Sequence, residues 1–130
     1  MSEATERLER LIAAEVGECR EGDLDERLHE LDDLETEAEL DRAETDVNVF
    51  ATLGNETRYQ LVRVLAASDD ELCVCELDAI IEVGDSAVSH ALRDLVDAGL
   101  VERRKEGKWR YYGATERAER LIDVVDETRP

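Results

Sequence analysis

The sequence predicts a mainly α-helical protein with one small β-hairpin, and three observations support this fold class. Apolar residues recur every three or four positions in successive segments, which is the spacing of amphipathic helices. A glycine-centred turn, Val83-Gly84-Asp85, separates two of these segments. Two strand-like runs flank Glu106-Gly107, a pair suited to a tight turn. Helix, helix, turn, helix, hairpin and helix is the order of a winged helix-turn-helix domain, here preceded by a helical extension.

The first 45 residues are predicted to form an acidic helical N-terminal extension, and residues 46–130 the winged helix-turn-helix domain. Apolar residues at helical spacing predict a first helix over residues 3–16, and a leucine stripe predicts a second helix that Asp23 caps. The stripe is narrow and its flanks are charged. These helices therefore fit either a face against a partner helix or a solvated, partly frayed arm.

Caps and glycines mark the helices of the second domain. Asp46 is expected to start a short helix that stops at Gly54. Asn55 is then expected to cap a core-facing helix over Glu56–Ala67, and a further helix is predicted over Leu72–Ile81.

The segment after the glycine turn predicts a helix that contacts DNA. Ser86 is expected to cap this helix, and its apolar residues Val88, Leu92, Leu95 and Val96 to face the core. Hydroxyl, imidazole and guanidinium groups on the other face can bond base edges or phosphates. For Ser86 the capping role alone explains the residue equally well. The predicted major-groove residues are Ser86, Ala87, Ser89, His90 and Arg93.

The hairpin is the one basic island in the chain. Its strands are predicted over Leu100–Lys105 and Lys108–Gly113, and residues 103–110 carry a net charge of +4. Trp109 and Tyr111 are expected to anchor this wing to the core, and Thr115 to cap a last helix. The basic side chains would follow phosphates or the minor groove. They are Arg103, Arg104, Lys105, Lys108 and Arg110.

The rest of the chain is strongly acidic. The formal net charge is −19, of which residues 1–45 contribute −12, and 14 of the 16 basic residues are arginine. This composition resembles that of proteins from salt-loving archaea, because a Debye length of about 3 Å at 1 M salt suppresses the self-repulsion of an acidic surface. An acidic protein from an ordinary cell is the alternative.

No apolar run is long enough to span a membrane, and three cysteines without an export segment predict a reduced, cytoplasmic setting.

Several short sequence motifs of this chain together resemble the ArsR/SmtB family of metalloid- and metal-responsive repressors, over roughly residues 46–127. The resemblance implies a homodimer that binds double-stranded operator DNA when free of ligand and releases it when a thiophilic ion binds. The segment that contains both thiols is the most specific part of the match. The matching motifs are Asn55-Glu-Thr-Arg58, Glu71-Leu-Cys-Val-Cys-Glu-Leu77, Ser86-x-x-Ser-His90, Ala98-Gly-Leu-Val101 and Glu106-Gly-Lys-Trp-x-Tyr-Tyr112.

The resemblance makes Cys73 and Cys75 candidate ligands, with one departure. In the arsenic-sensing branch a third thiol often follows the pair one turn later, and here that position is Asp78, a poor ligand for soft ions. Relatives with a thiol-bearing extension reach across to the second subunit, so Cys19 could complete the site. The alternatives are that the pair are small buried apolar residues and that Cys19 has no function. Residues 115–130 contain no histidine, so the last-helix site of zinc-sensing relatives is not expected.

The spacing of the pair predicts how a ligand would act. On a regular helix, residues two apart project roughly 200° from one another, so Cys73 and Cys75 could not hold one ion. Ligand binding is therefore expected to loosen the first turn of their helix, which would pack under the DNA-contacting helix.

The sequence thus predicts a homodimeric transcriptional repressor released by arsenite or antimonite, with cadmium, lead or zinc as further candidates. A thiol redox switch on the same fold is the first alternative, and a protein-interaction module without DNA binding is the second. The charge of the wing argues against the second alternative. No enzyme is expected, because the sequence contains no phosphate-binding glycine loop and no zinc-protease motif.

Overall fold

The computed structural model describes residues 2–130, and the chain forms two compact units that join between Ala43 and Glu44. None of the helices in residues 2–130 is long and apolar enough to cross a membrane. The described chain contains seven α-helices, a short 3-10 helix at Leu40–Arg42 and one antiparallel sheet of two strands. In chain order the main elements are α1 (Glu3–Val16), α2 (Asp23–Glu37), α3 (Ala43–Leu53), α4 (Glu56–Ala67), α5 (Val74–Ile81), α6 (Asp85–Asp97), β1 (Val101–Glu106), β2 (Trp109–Ala114) and α7 (Glu116–Glu127).

The first unit packs α1 against α2 without burying any residue of either helix. The predicted helix over residues 3–16 is confirmed, but the capping role of Asp23 is wrong. Gly22, with φ of 91°, stands at the N-cap of α2, and the Asp23 carboxylate accepts a hydrogen bond from the backbone N–H of Arg20 at 2.8 Å. The carboxylate therefore closes the loop before the helix, because glycine lets the chain enter the helix one residue earlier.

The second unit has a hydrophobic core centred on α4, which packs against α5, α6, α7 and β2. Fully burying one leucine stabilises a fold by about 1.5–3 kcal/mol, so these side chains hold the helices in place. The fully buried leucines are Leu61, Leu77, Leu92, Leu95 and Leu100.

The corner between α3 and α4 is closed by polar contacts. The helix α3 begins at Ala43, three residues before the predicted start at Asp46, which lies in its first turn. The predicted cap at Asn55 is confirmed, because its side chain accepts a hydrogen bond from the N–H of Arg58 at 3.0 Å. The Arg58 guanidinium then donates to the carbonyl of Thr52 at 2.7 Å, which ties the two helices together.

The helices α5 and α6 form the helix-turn-helix. Their turn contains Gly84, whose φ of 97° suits glycine. The predicted start of α5 at Leu72 is wrong, because Leu72 is extended and pairs with Tyr112, and α5 begins at Val74. The predicted cap at Ser86 is also wrong, since α6 begins at Asp85 with Gly84 at its N-cap. Burial of Val88, Leu92 and Leu95 against the core is confirmed, and Val96 is half-buried.

The hairpin turns at Gly107 and Lys108, so each strand lies one residue later than predicted. Gly107 has φ of 60°, as a two-residue turn requires. The anchoring role of Trp109 is wrong, because its side chain is 56% exposed. Tyr112, 5% exposed, is the anchor instead, since alternation along the strand places it on the face that turns to the core. Tyr111, on the opposite face, is half-buried.

The last helix returns to the core. Thr115 caps α7 as predicted, with its hydroxyl accepting a hydrogen bond from the N–H of Ala118 at 3.2 Å. Ala118 and Ile122 are buried, whereas Val125 is exposed. On α4, Arg63 reaches Asp126 of this helix at 2.8 Å, and this ion pair lowers the pKa of the Asp126 carboxyl.

Candidate thiol site and nucleic-acid interface

The two thiols of the second unit lie at the start of α5 and face each other. Cys73 occupies the N-cap with φ of −91° and ψ of 168°, and Cys75 is in the first turn. Their Sγ atoms are 2.9 Å apart. Glu76 completes a capping box, because its carboxylate accepts a hydrogen bond from the backbone N–H of Cys73 at 3.0 Å.

This geometry corrects the expectation that the pair projects in different directions. The 200° separation holds only if both residues are helical, and Cys73 is extended. Its side chain turns back over the first turn of α5, where it meets Cys75. Both sulfurs can therefore face one ligand without any unwinding of the helix. The sequence signal was the spacing Cys73-x-x-Glu76, in which cysteine stands where a capping box usually has serine or threonine.

The two thiols differ in exposure. Cys73 is 9% exposed, and Cys75 is open to solvent. The hydrogen bond with Cys75, together with burial, raises the pKa of the Cys73 thiol. The hydrogen bonds from Cys73 lower the pKa of the Glu76 carboxyl. The pair can therefore be reached from outside through Cys75.

A shallow depression of about 350 Å³ adjoins the pair, and we call it the thiol depression. The tip of the hairpin forms one side of it, so a ligand on the thiols would lie against the wing. The sequence does not predict this proximity, because it depends on how the wing folds back over α5. The lining residues are Cys73, Val74, Cys75, Asp85, Lys108, Trp109 and Arg110.

Asp78 stands where the resemblance would place a third thiol, and Cys19 is the third predicted ligand. Asp78 accepts a hydrogen bond from the N–H of Gly84 at 2.7 Å, so its carboxylate stabilises the turn before α6. Cys19 is exposed in the loop between α1 and α2, which belongs to the first unit. Within residues 2–130 no three His, Cys, Asp or Glu side chains are grouped so as to hold a metal ion. Within the second unit, the structure brings the predicted thiols Cys73 and Cys75 together.

The predicted DNA-contacting residues of α6 all reach the surface. Ser86, Ala87, Ser89, His90 and Arg93 are exposed on the side away from the buried apolar residues. This placement leaves their side chains free to enter a major groove, and their contacts with DNA remain a prediction.

The predicted basic residues of the hairpin divide between its two faces. Arg104 lies opposite Tyr111, with its guanidinium 4.9 Å from the centre of that ring. It is bound by two carboxylates, Glu71 and Glu106, each at 2.7 Å, and these hydrogen bonds raise its pKa. Arg103, on the next position, points to the other face. Lys105 and Lys108 are exposed without a carboxylate within 4.0 Å in the described chain.

Arg103 and Arg110 share a groove with α6. The groove has a volume of about 380 Å³ and lies between α6 and the hairpin, with Arg93 on the helix side. We call it the arginine groove. Val74 and Arg110 line both this groove and the thiol depression, so the two sites adjoin. Its other lining residues include Ser89, Asp97 and Tyr112.

Comparison with known proteins decides the family. The family described as "Bacterial regulatory protein, arsR family" matches residues 55–103. A relative from Halobacterium salinarum, a putative arsenical resistance operon repressor ArsR, is 44% identical over 126 residues, which are 97% of this chain and 98% of the relative. The chain belongs to the ArsR family. A second relative from that organism, a putative arsenical resistance operon repressor ArsR2, is 52% identical over 89 residues, 68% of this chain and 75% of the relative.

Solved structures place the ArsR-family chain in the predicted fold. A homodimeric winged helix-turn-helix domain from Mycobacterium bovis, a possible ArsR-family regulator, matches with a TM-score of 0.60 and 29% identity over 65% of this chain and 78% of that chain. The winged helix-turn-helix prediction is confirmed. As a member of this family, the chain is a DNA-binding transcriptional regulator and not an enzyme. The two Halobacterium relatives agree with the predicted haloarchaeal character.

Proposed function

We propose that this ArsR-family chain is a homodimeric repressor that binds operator DNA through α6 and the hairpin, and that Cys73 and Cys75 receive the ion that releases it. Arsenite or antimonite is the favoured ion, with a soft divalent metal as the alternative. The observation that carries the proposal is the sharing of Val74 and Arg110 between the thiol depression and the arginine groove. A sensor and a DNA-contacting surface therefore have side chains in common.

The DNA-binding part is supported by exposure and charge. The outward residues of α6 are free of core contacts, and the arginine groove continues this surface onto the wing. In the described chain, Arg93, Arg103 and Arg110 have no carboxylate within 4.0 Å, although the protein is strongly acidic. Unpaired arginines at this place support phosphate contact rather than a structural role.

The sensor part is supported by the donor atoms. Two sulfurs converge at a surface-accessible point, and soft sulfur is what trivalent arsenic, antimony, cadmium and lead prefer. When bound, the ion would supply strong bonds to both thiolates. Asp78 is engaged with Gly84, which supports a site of two local thiols. We propose Cys19, from its own chain or the partner subunit, as a third ligand.

Residues next to the thiols provide a route to the wing. The backbone of Leu72, one residue before Cys73, exchanges two hydrogen bonds with Tyr112 of β2, at 2.8 and 2.9 Å. Arg104 of β1 binds Glu71 at 2.7 Å. Movement at Cys73 would therefore displace the hairpin as well as the start of α5. This coupling replaces the helix-loosening route, because the thiols already face one another.

The homodimer is supported by exposed apolar side chains on α3 and α7. Val47 and Phe50 on α3, and Val124 on α7, are more than half exposed. Contiguous exposed apolar surface is typical of an interface, and a two-fold dimer would bury the same surface of both chains. Phe50→Asp should then yield monomers in sedimentation velocity, whereas Leu34→Asp, on α2, should leave the dimer intact.

The proposal is tested by operator release. Fluorescence anisotropy should show wild-type protein leaving labelled operator as arsenite is added, whereas Cys73→Ser and Cys75→Ser bind operator normally and remain bound. Serine is nearly isosteric, and its hydroxyl is a much poorer ligand for soft ions. Cys19→Ser should weaken the response without eliminating it. Normal release by both pair variants would remove the thiols from the mechanism.

The close approach of the sulfurs also favours a second candidate, a thiol redox switch. Two thiols and one hydrogen peroxide would give a disulfide and two waters, and the Sγ atoms already lie 2.9 Å apart. X-ray absorption of the arsenite-treated protein and thiol counting after peroxide separate the two functions. Arsenic–sulfur scattering with full release by arsenite supports the metalloid sensor. Release by peroxide alone, with loss of two alkylatable thiols, supports the redox switch.

A further inference from the structure

The arginines of this protein are almost all paired with acids, and the exceptions are concentrated at one place. Ten of the fourteen arginines lie within 4.0 Å of a carboxylate in the described chain. Of the four that do not, three line the arginine groove and one lies on α1. With 35 acidic residues available, this clustering of unpaired arginines calls for a physical reason. The unpaired arginines are Arg10, Arg93, Arg103 and Arg110.

The three groove arginines come from three different elements that share one surface. Arg93 lies on α6, Arg103 on β1 and Arg110 on β2. Arg103 is paired with Tyr112 across the sheet, so Arg110 is its diagonal neighbour on the same face. Diagonal neighbours have Cα atoms roughly 7–8 Å apart, within reach of a common point for two long side chains. Three guanidinium groups can therefore converge on one small ligand.

The other groups in the groove are suited to an oxyanion. Ser89, which carries a hydroxyl, lies one helical turn before Arg93, and Tyr112 also lines the groove. Guanidinium and hydroxyl donors match the acceptor oxygens of a phosphate. The single carboxylate in the lining is Asp97, and it forms no ion pair with the arginines in the described chain. The groove thus offers many donors and one opposing charge.

We propose that the arginine groove is a binding site for one tetrahedral oxyanion, held jointly by Arg93, Arg103 and Arg110. The oxyanion is a backbone phosphate of DNA or free inorganic phosphate or sulfate, and the DNA source rests on the proposed operator binding. At 1 M salt the Debye length is about 3 Å, so a distant positive field is ineffective and only direct contact attracts an anion. A built contact site lets a chain with a net charge of −19 hold phosphate.

Equilibrium dialysis with radiolabelled inorganic phosphate tests the site directly. The full-length protein in 1 M potassium chloride should bind one phosphate per chain with saturation. Arg103→Gln and Arg110→Gln should each weaken binding about tenfold or more, because each removes charge-assisted hydrogen bonds. Arg10→Gln is the matched control, since it removes an unpaired arginine outside the groove.

A gain of affinity provides a readout that misfolding cannot imitate. Asp97→Asn removes the opposing charge and keeps the shape of the side chain, so it should tighten phosphate binding about threefold or more. Asp123→Asn, on α7 outside the groove, removes the same charge and should have no effect. Equal tightening by both variants would indicate a general charge effect and would overturn a localised site.

Competition with operator separates the two sources of oxyanion. Potassium sulfate should displace operator more strongly than potassium chloride at equal ionic strength if the groove holds a DNA phosphate, and Arg103→Gln should weaken this preference for sulfate. Phosphate binding with no such competition assigns the groove to a free oxyanion. The oxyanion site is wrong if phosphate binding does not saturate and the arginine substitutions leave operator affinity unchanged. In that case, normal release of operator by arsenite would still support the proposed repressor function. If the wild-type protein binds phosphate with saturation but does not bind operator, the proposed repressor function is wrong and the oxyanion site stands.

Discussion

The two faces of the hairpin use the same residue type in opposite ways. On the face turned to α6, Arg103 and Arg110 line the arginine groove and have no carboxylate within 4.0 Å in the described chain. On the other face, Arg104 is held by Glu71 and Glu106 at 2.7 Å each and stacks on Tyr111. Adjacent arginines on one strand therefore have different roles.

Exposure alone therefore does not make a basic residue available to DNA. In an acidic protein a guanidinium is attracted first to the nearest carboxylate, and binding phosphate then requires breaking that pair. Arg104 would lose two such partners, whereas Arg103 would lose none. The pairing makes Arg104 a weaker candidate for phosphate contact than the sequence suggested, and it gives Arg104 a role in tying the hairpin to the segment before the thiols.

The largest expected effect is on the groove face. Arg103→Ala combined with Arg110→Ala should lower operator affinity about 100-fold or more, since each lost hydrogen bond to a charged group is worth roughly 1.5–3 kcal/mol. Fluorescence anisotropy with labelled operator measures the change, and circular dichroism checks that the fold is retained. A loss smaller than about threefold in a folded variant would show that the groove face does not contact DNA.

A smaller effect is expected on the opposite face. Arg104→Ala should change operator affinity by less than about threefold, because its guanidinium is already neutralised. The same substitution should lower the midpoint of thermal unfolding slightly, as the pairs with Glu71 and Glu106 are partly exposed. A double-mutant cycle with Glu71→Ala isolates their coupling. A loss of operator affinity as large as that of the groove pair would contradict the comparison.

The tip of the hairpin should report on the thiol depression. Trp109 is the only tryptophan, and it lines that depression beside Cys73 and Cys75. Arsenite should therefore change its emission, since a heavy ligand and a displaced wing both alter the indole environment. Cys75→Ser should abolish the change. An unchanged spectrum during full operator release would show that the wing tip does not border the occupied site.

The smallest effect concerns salt. Counterion release normally lowers affinity with a slope near −0.9 per neutralised phosphate. Here the acidic surface around the groove would take up cations as DNA approaches, and this opposes the release. Operator affinity between about 0.5 and 3 M potassium chloride should then be flat or rise. Anisotropy titrations across this range measure the slope, and a steep fall would show that the acidic surface plays no part.

Much of the fold could be predicted from the sequence because the signals are local. Asn55 and Thr115 cap helices whose limits depend on a few neighbouring residues, and the predicted range Glu56–Ala67 is confirmed. The boundaries that failed involve contacts between distant segments. Leu72 is part of an apolar run that suits a helix, yet it pairs with Tyr112, forty positions later, and so leaves the helix.

The sequence predicts which residues form the candidate site, but not how they are arranged in space. The motif around Cys73 and Cys75 predicts that they are ligands, but the close approach of their Sγ atoms follows from the extended N-cap conformation of Cys73. The sequence does not predict the part played by Val74, because a valine between two cysteines does not indicate that the residue lines a groove. Its position at the junction of the two sites depends on where α6 and the wing lie.

The helix-turn-helix order, the basic hairpin and the family follow from the sequence, since periodicity, caps and characteristic motifs are properties of neighbouring residues. Contacts between distant segments set which arginines stay unpaired and which residue anchors the wing. Arg104 meets Glu71 only when β1 packs beside the segment before α5, and Tyr112 replaces Trp109 as the anchor because strand register sets which side chains face the core. These contacts depend on the distances between segments that are far apart in the sequence, and local sequence patterns do not determine those distances.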